Sequence, residues 1–169
     1  MKKIFLPLLL VTLFNFNSQA QKFAYVDTDY ILNKIPEFKQ AEDKLDNLSN
    51  DWQKEIELKY SDVEKMYRAY QQEQVLLTDE LKNKREEAII KKENDAKNLQ
   101  QKYFGPEGML YSKRQELISP IQDKIYNAIQ QLANTNKYQV IFDSSSDLIM
   151  LYKNKNLDKS EKVLQIMGY

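Results

Sequence analysis

Asp27 and Asp29, Asp143 and Asp147, and the run Ser144, Ser145 and Ser146 are the side chains that come nearest to chemistry. Carboxylates this close in sequence can share a calcium ion. An EF-hand loop, however, needs regularly spaced oxygen donors around a glycine turn, and neither pair has that spacing or that glycine. Strand-end turns and helix caps account for these aspartates better. The serine hydroxyls would need a base to become nucleophiles, and the chain contains no histidine. It contains no cysteine either, so disulfides, thiol chemistry and cysteine-held zinc are excluded. The only glycines are Gly105, Gly108 and Gly168, and no phosphate-cradling G-x-x-x-x-G-K-[ST] loop can be written through them. No catalytic, cofactor-binding or metal-binding residue is expected, and no nucleotide site. The inventory suits a protein that holds something rather than one that transforms it.

The first twenty residues are predicted to be an address. Lys2 and Lys3 precede an apolar run from Ile4 to Phe14, and Ser18-Gln19-Ala20 closes it with small residues at −3 and −1. This is the pattern of a secretory signal cut after Ala20. As a helix the run spans about 16 Å, short of a bilayer core of roughly 30 Å. From residue 21 onward the chain carries 23 Lys and Arg against 25 Asp and Glu, a net charge of −2. That balance disfavours nucleic acid as a partner and offers no basic surface for anionic lipid. The mature chain is expected to be exported and soluble.

What remains is a long helical middle between two small ends. Residues 37–104 contain no Gly and no Pro and are rich in Glu, Lys, Gln and Leu. Phe38, Ala41, Leu45, Leu48 and Trp52 step 3-4-3-4, Ile56 and Tyr60 step 4-4, and Val63, Tyr67 and Tyr70 resume the heptad. The inserted step predicts a seam that straightens in the middle. Such a stripe needs a partner, and an antiparallel helical hairpin over 37–137 supplies one. Its turn is placed near 77–79, where Thr78 with Asp79 and Glu80 resembles an N-cap followed by an acidic first turn. The return carries Leu81, Ala88, Ala96, Leu99 and Tyr103, then Leu117 or Ile118, Ile121, Ile125, Ala128 and Leu132. A break at 104–108 gives this arm a place to bend, and Pro120 adds a kink or a fresh helix start. A competing position for the turn is Gly105–Gly108 itself, which would leave half the first helix unpaired.

The ends, 21–36 and 138–169, read as a small β/α body. Phe23–Asp27 is a predicted strand, with Thr28 or Asp29 capping a helix through Tyr30, Ile31 and Leu32 up to Pro36. Tyr138–Phe142 and Leu148–Tyr152 are two β-rich runs joined by a hairpin-like turn at 143–147. Ser160 is expected to cap a last helix stopped by Gly168. So few residues cannot bury a sound core without disulfides or metal. Oligomerisation is expected, with Phe23, Tyr25, Val140, Phe142, Ile149 and Leu151 as the contact candidates.

The order of features closely resembles the Skp/OmpH family of periplasmic chaperones, over essentially the whole mature chain. A strand ends in Val26-Asp27, and a helix with Ile31-Leu32 precedes Pro36. A long charged hairpin then leads to Leu117-Ile-Ser-Pro-Ile-Gln-Asp-Lys-Ile125, to Tyr138-Gln-Val-Ile-Phe-Asp143, and to Ser160-Glu-Lys-Val-Leu164. The resemblance implies an α+β, mostly α fold. It also implies a homotrimer in which three tentacle-like arms project from a β body around a cavity, and ATP-independent holding of unfolded outer-membrane β-barrel proteins in the periplasm. On the arms, Met66, Val75, Leu76, Ile89, Ile90, Phe104, Met109 and Tyr111 are the candidates for touching such a client. The competing class is a coiled-coil envelope spacer or adaptor with one fixed partner, whose apolar residues would all pair internally. Intact-mass measurement of the exported protein should place the mature N-terminus at Gln21. A mass that still includes residues 1–20 would count against the signal.

Overall fold

The computed structural model describes residues 22–146 and 150–169. The signal predicted at 1–20, and the expectations for Asp147, Leu148 and Ile149, lie outside the described residues. Strand β1 (Phe23–Val26) leads into helix α1 (Thr28–Lys34). Three long helices follow: α2 (Pro36–Glu73), α3 (Asp79–Phe104) and α4 (Met109–Asn136). Strand β2 (Val140–Asp143), a single 3-10 turn (Lys155–Leu157) and helix α5 (Ser160–Met167) close the chain.

The arm is a hairpin of α2 against α3 and α4. Pro36 opens α2 at a first-turn position, where its missing N–H is no loss. At 1.5 Å per residue the 38 residues of α2 reach about 57 Å. Thr78 caps α3, its hydroxyl accepting from the Leu81 N–H, and Asp79 and Glu80 follow in the first turn where the helix dipole favours acids. Along α2 the buried seam is Ala41, Leu45, Ile56 and Tyr70. Leu45 and Ile56 are eleven residues apart, close to three whole turns of a straight helix, which is the spacing the inserted step calls for. On the return the seam is Ile89, Ala96 and Tyr103, then Ile121, Ile125, Ala128 and Leu132. Leu81, read as part of this seam, stands 47% exposed, one turn from the hairpin tip where α2 has already ended. Pro120 neither starts nor ends a helix: α4 runs through it from Met109 to Asn136.

The core sits where the arm enters the body. Ile121, Ile125, Ala128 and Leu132 of α4 pack with Val26 of β1, Ile31 of α1, Ile35, Ala41 of α2, and Val163 and Leu164 of α5. β1 and β2 form a parallel two-stranded sheet in the register Phe23↔Val140 to Val26↔Asp143. The hairpin-like turn expected at 143–147 and the run expected at 148–152 fall partly outside the described residues, and the pairing described for β2 is the one with β1. Among the described residues 150–154 lack strand structure. The far side of β1 is met instead by the segment before α5: the Lys159 N–H donates to the Tyr25 carbonyl at 2.9 Å.

Hydroxyls and carboxylates fasten the body. Asp27, rather than Thr28 or Asp29, caps α1 by accepting from the Tyr30 N–H at 2.9 Å. That leaves Thr28 free to donate to Asp143 at 2.6 Å. Burial pushes the Asp143 carboxyl up, but hydrogen bonds from Thr28 and Ser145 outweigh it and hold the group below its ordinary value. Ser160, expected to cap α5, is instead its first helical residue, almost fully buried, and its hydroxyl oxygen accepts the Asp27 N–H at 2.9 Å. Its own hydroxyl donates to Asp158 at 2.7 Å. α4 ends at Lys137 with φ 59°, a left-handed position taken without glycine.

Tyrosine hydroxyls tie separate elements together. Tyr103 donates to Glu55 at 2.8 Å and Tyr60 to Gln100 at 3.2 Å, across the arm. Tyr70 donates to Glu86 near the tip. At the root Tyr30 donates to Glu161, and Tyr169 to Glu37 at 2.8 Å. These carboxylates hold Tyr30, Tyr70, Tyr103 and Tyr169 above the usual phenol range, and Tyr169 holds Glu37 below the usual carboxylate range.

Two outcomes are expected. Ile125→Ala or Leu132→Ala should lower stability by about 2–5 kcal/mol in urea melts, because each leaves a cavity in the shared core. Ile90→Ala, an exposed site, should stay within about 0.5 kcal/mol of wild type. The ties set the pH response. Stability due to the raised tyrosines is complete below the ordinary tyrosine pKa and is lost as pH rises through their higher folded values. The Glu37 contribution is complete above the ordinary glutamate pKa and is lost as pH falls through its lower folded value. Melting temperature followed by circular dichroism should therefore fall at alkaline pH in wild type and fall less in a Tyr70→Phe, Tyr103→Phe double variant. An equal alkaline loss in both would remove the ties from the account.

Candidate binding surface

Unlike an enzyme cleft, the feature that stands out here is convex. α2 stops at Glu73 and α3 starts at Asp79, and the link between them presents Val75 and Leu76 with 82% and 85% of their surface in water. Neither can reach the seam, since both helices have ended beneath them. They are large apolar side chains placed where burial within one chain is geometrically unavailable.

The other arm candidates divide by face. Ile90 is 55% exposed, while its neighbour Ile89 is buried on the seam. One residue of helix turns the side chain by about 100°, which separates the two. Ile89 therefore presents little accessible surface. Met109 and Tyr111, in the first turn of α4, are exposed. Met66 is half-buried beside a shallow groove rimmed by Lys59, Asp62, Lys65, Lys92 and Asp95. Phe104 is half-buried and lies edge-on to Trp52, ring centroids 6.4 Å apart. Trp52 itself stacks on Tyr103 at 4.7 Å with the planes 7° apart. No single concave site brings the candidates together; they are spread from the tip to the level of Tyr111.

Sequence reasoning passed over four more exposed apolar side chains: Leu58, Tyr67, Leu81 and Tyr126. Leu58 lies two residues past Ile56, which sets it well away from the seam, and that spacing was the available signal. Tyr67 falls on the predicted stripe, but it is half exposed and Met66, one residue earlier, is the side chain that turns inward.

The electrostatics of the arm are those of a solvated surface. Of the six ion pairs among the described residues, five lie within one helix at i,i+3 or i,i+4, and one, Arg85 with Glu73 at 3.2 Å, crosses the hairpin near the tip. Exposed pairs of this kind contribute little each. Glu93 raises Lys97 above its ordinary value through one of them. Residues 37–77 carry 6 basic and 10 acidic side chains against 11 and 9 over 78–137, so the two sides of the hairpin differ in sign.

In the body, Phe23, Val140 and Phe142 expose about half their surface along the small sheet, and Leu151 is almost wholly exposed. Tyr25 is buried, with Lys153 over its ring at 5.5 Å. Ile149 lies outside the described residues. Among the described residues no group of three His, Cys, Asp or Glu side chains is placed to hold a metal ion. No described helix is long and apolar enough to cross a membrane.

Comparison with known proteins adds to this geometry. The family model of outer membrane protein (OmpH-like) matches residues 22–167. No curated protein matches the chain significantly. Among solved structures, an OmpH-like protein from Caulobacter crescentus CB15, a candidate outer membrane chaperone, superposes with a TM-score of 0.68. The two chains share 14% identity, over 88% of this chain and 84% of that one, so that likeness carries the fold. A helical arm rising from a small parallel sheet, matched to one family over nearly every described residue, makes this chain a member of the OmpH-like family.

Proposed function

We propose that this protein is an ATP-independent holdase of the periplasm that keeps unfolded outer-membrane β-barrel proteins from aggregating. In this reading three chains assemble through the body, and their arms enclose the client. The observation that carries it is the position of Val75 and Leu76: bulky apolar side chains at the free end of a long arm, with no intrachain surface to cover them. Ile90, Met109 and Tyr111 extend the exposed apolar surface along the arm. An unfolded membrane strand presents apolar side chains in no fixed order. Scattered, weak, repeated contacts suit it better than one fitted pocket, because many small affinities on linked arms multiply.

Assembly is supported by the body. A parallel pair of strands ordinarily lies within a larger covered sheet. Among the described residues the sheet has two strands, and Phe23, Val140 and Phe142 are open along it. The spacer alternative needs arms whose apolar residues all pair internally. Ile89 fits that description; Val75, Leu76 and Ile90 do not.

Purified mature protein, without nucleotide, should suppress light scattering by a urea-unfolded outer-membrane protein diluted into buffer, at one assembly per client. Val75→Ser with Leu76→Ser should weaken suppression several-fold without lowering the melting temperature, since neither side chain is part of the core. No suppression by the wild type at that stoichiometry would sink the holdase reading. A light-scattering mass of one chain would remove the assembly from it.

A further inference from the structure

At one level the arm is held by very little. Between Leu45 and Ile56 on α2 no side chain is buried, and on the return none is buried between Tyr103 and Ile121. This is also where the return helix is interrupted. α3 ends at Phe104 and α4 begins at Met109, with the backbone passing through Gly105, Pro106, Glu107 and Gly108. Only one backbone hydrogen bond, Gly108 N–H to the Gly105 carbonyl at 2.9 Å, closes that link, and no side chain caps α4. The link is tightly folded: a Cβ on Gly105 would come within 2.4 Å of the Gln101 carbonyl oxygen, and one on Gly108 within 2.8 Å of that of Tyr103.

Opposite the link α2 is continuous, and it meets the return through one aromatic group. Trp52 stacks on Tyr103, Phe104 stands edge-on to Trp52, and the Tyr103 hydroxyl reaches Glu55, one turn further along α2. A rod of two packed helices resists bending because one helix must lengthen against the other, and the hydrogen-bond ladders do not stretch. Interrupting one helix removes that resistance at the interruption. Bending then only opens or closes the link, while the unbroken helix flexes gently, as long helices do.

The geometry points to a latched elbow at residues 104–108. The outer hairpin, Ile56–Glu73 with Asp79–Tyr103, swings as one piece relative to the root, and the Trp52–Tyr103–Phe104 stack with the Glu55 hydrogen bond is the latch that holds it straight. The element is two-state in character. Stacked, it buries Tyr103 and fixes the link; unstacked, it leaves α2 as the sole connection of full stiffness. The swing carries Val75 and Leu76 through the largest arc, because they lie farthest from the elbow. The inference concerns the chain alone and stands or falls apart from any client.

The absence of native cysteine makes the test direct. Spin labels on Lys91→Cys and Gln122→Cys lie on opposite sides of the elbow, whereas labels on Lys65→Cys and Lys91→Cys both lie in the outer hairpin. Distances are measured by pulsed electron resonance on the mature protein, with labelled chains diluted into unlabelled ones so that only pairs within one chain contribute. In the otherwise wild-type chain both pairs should give one narrow distribution. Trp52→Ala should shift and broaden the pair across the elbow and leave the outer pair as it was. Tyr103→Phe, which keeps the ring and removes only the hydrogen bond, should produce a smaller change of the same kind. Helical content by circular dichroism should be unchanged in both. Broadening of both pairs would mean general loosening and overturn the elbow, as would an unchanged distribution across it in Trp52→Ala. Should Trp52→Ala fail to fold, Trp52→Phe with Tyr103→Phe puts the same two label pairs to the same comparison.

Discussion

Everything in this chain hangs on the burial of one face of α4 at its body end. Ile121, Ile125, Ala128 and Leu132 are the last turns of the arm and also the centre of the core, where β1, α1 and α5 meet. Had the arm been a separate hairpin on a flexible linker, the body would hold only short elements. Such small sets of elements bury too little apolar surface to fold alone. By lending four buried positions of a long helix to the body, the chain gives those elements something to pack on. The arm in return acquires a fixed direction, because the helix that starts it and the helix that ends it are both locked into the same core through Ala41 and Ile121.

Much of the arm was legible in the sequence because its determinants are local. Thr78 with Asp79 and Glu80 marks a helix start by capping chemistry, Pro36 marks another, and the spacing of Leu45, Ile56 and Tyr70 follows from helix geometry alone. The body was less legible because its determinants are not local. Nothing near Ser160 discloses that its hydroxyl oxygen receives the N–H of Asp27, since that bond spans 133 residues. Likewise nothing near β2 discloses that it pairs with β1, at the other end of the chain. On the candidate surface the tip residues Val75 and Leu76 could be named because they precede a turn. Ile89 and Ile90 could not be told apart without the hairpin's rotation about its own axis.

The tyrosines explain how a hairpin with a sparse apolar seam stays in register. Aliphatic contacts along a stripe tolerate sliding by one turn, because every turn presents a similar surface. A phenol that must find one particular side-chain oxygen does not. Tyr60 with Gln100, Tyr70 with Glu86 and Tyr103 with Glu55 fix the alignment at three heights. The Tyr60 bond is exposed and the other two are part-buried, and each such bond contributes modestly to stability, so their main effect is on which pairing forms.

The parallel pairing of β1 with β2 has a kinetic consequence. Thr28 and Asp143, clamped together at the end of the sheet, are 115 residues apart in the chain, and the whole arm lies between them. The arm is, topologically, the crossover connection of a two-stranded parallel sheet. Helical contacts between neighbouring turns form quickly, whereas strand pairing across so long a loop must wait for the ends to meet. A finished hairpin brings those ends together in advance, by returning the chain to within reach of its starting point. The arm is then the template on which the body closes, and a chain still emerging during synthesis would hold a folded arm well before it held a sheet.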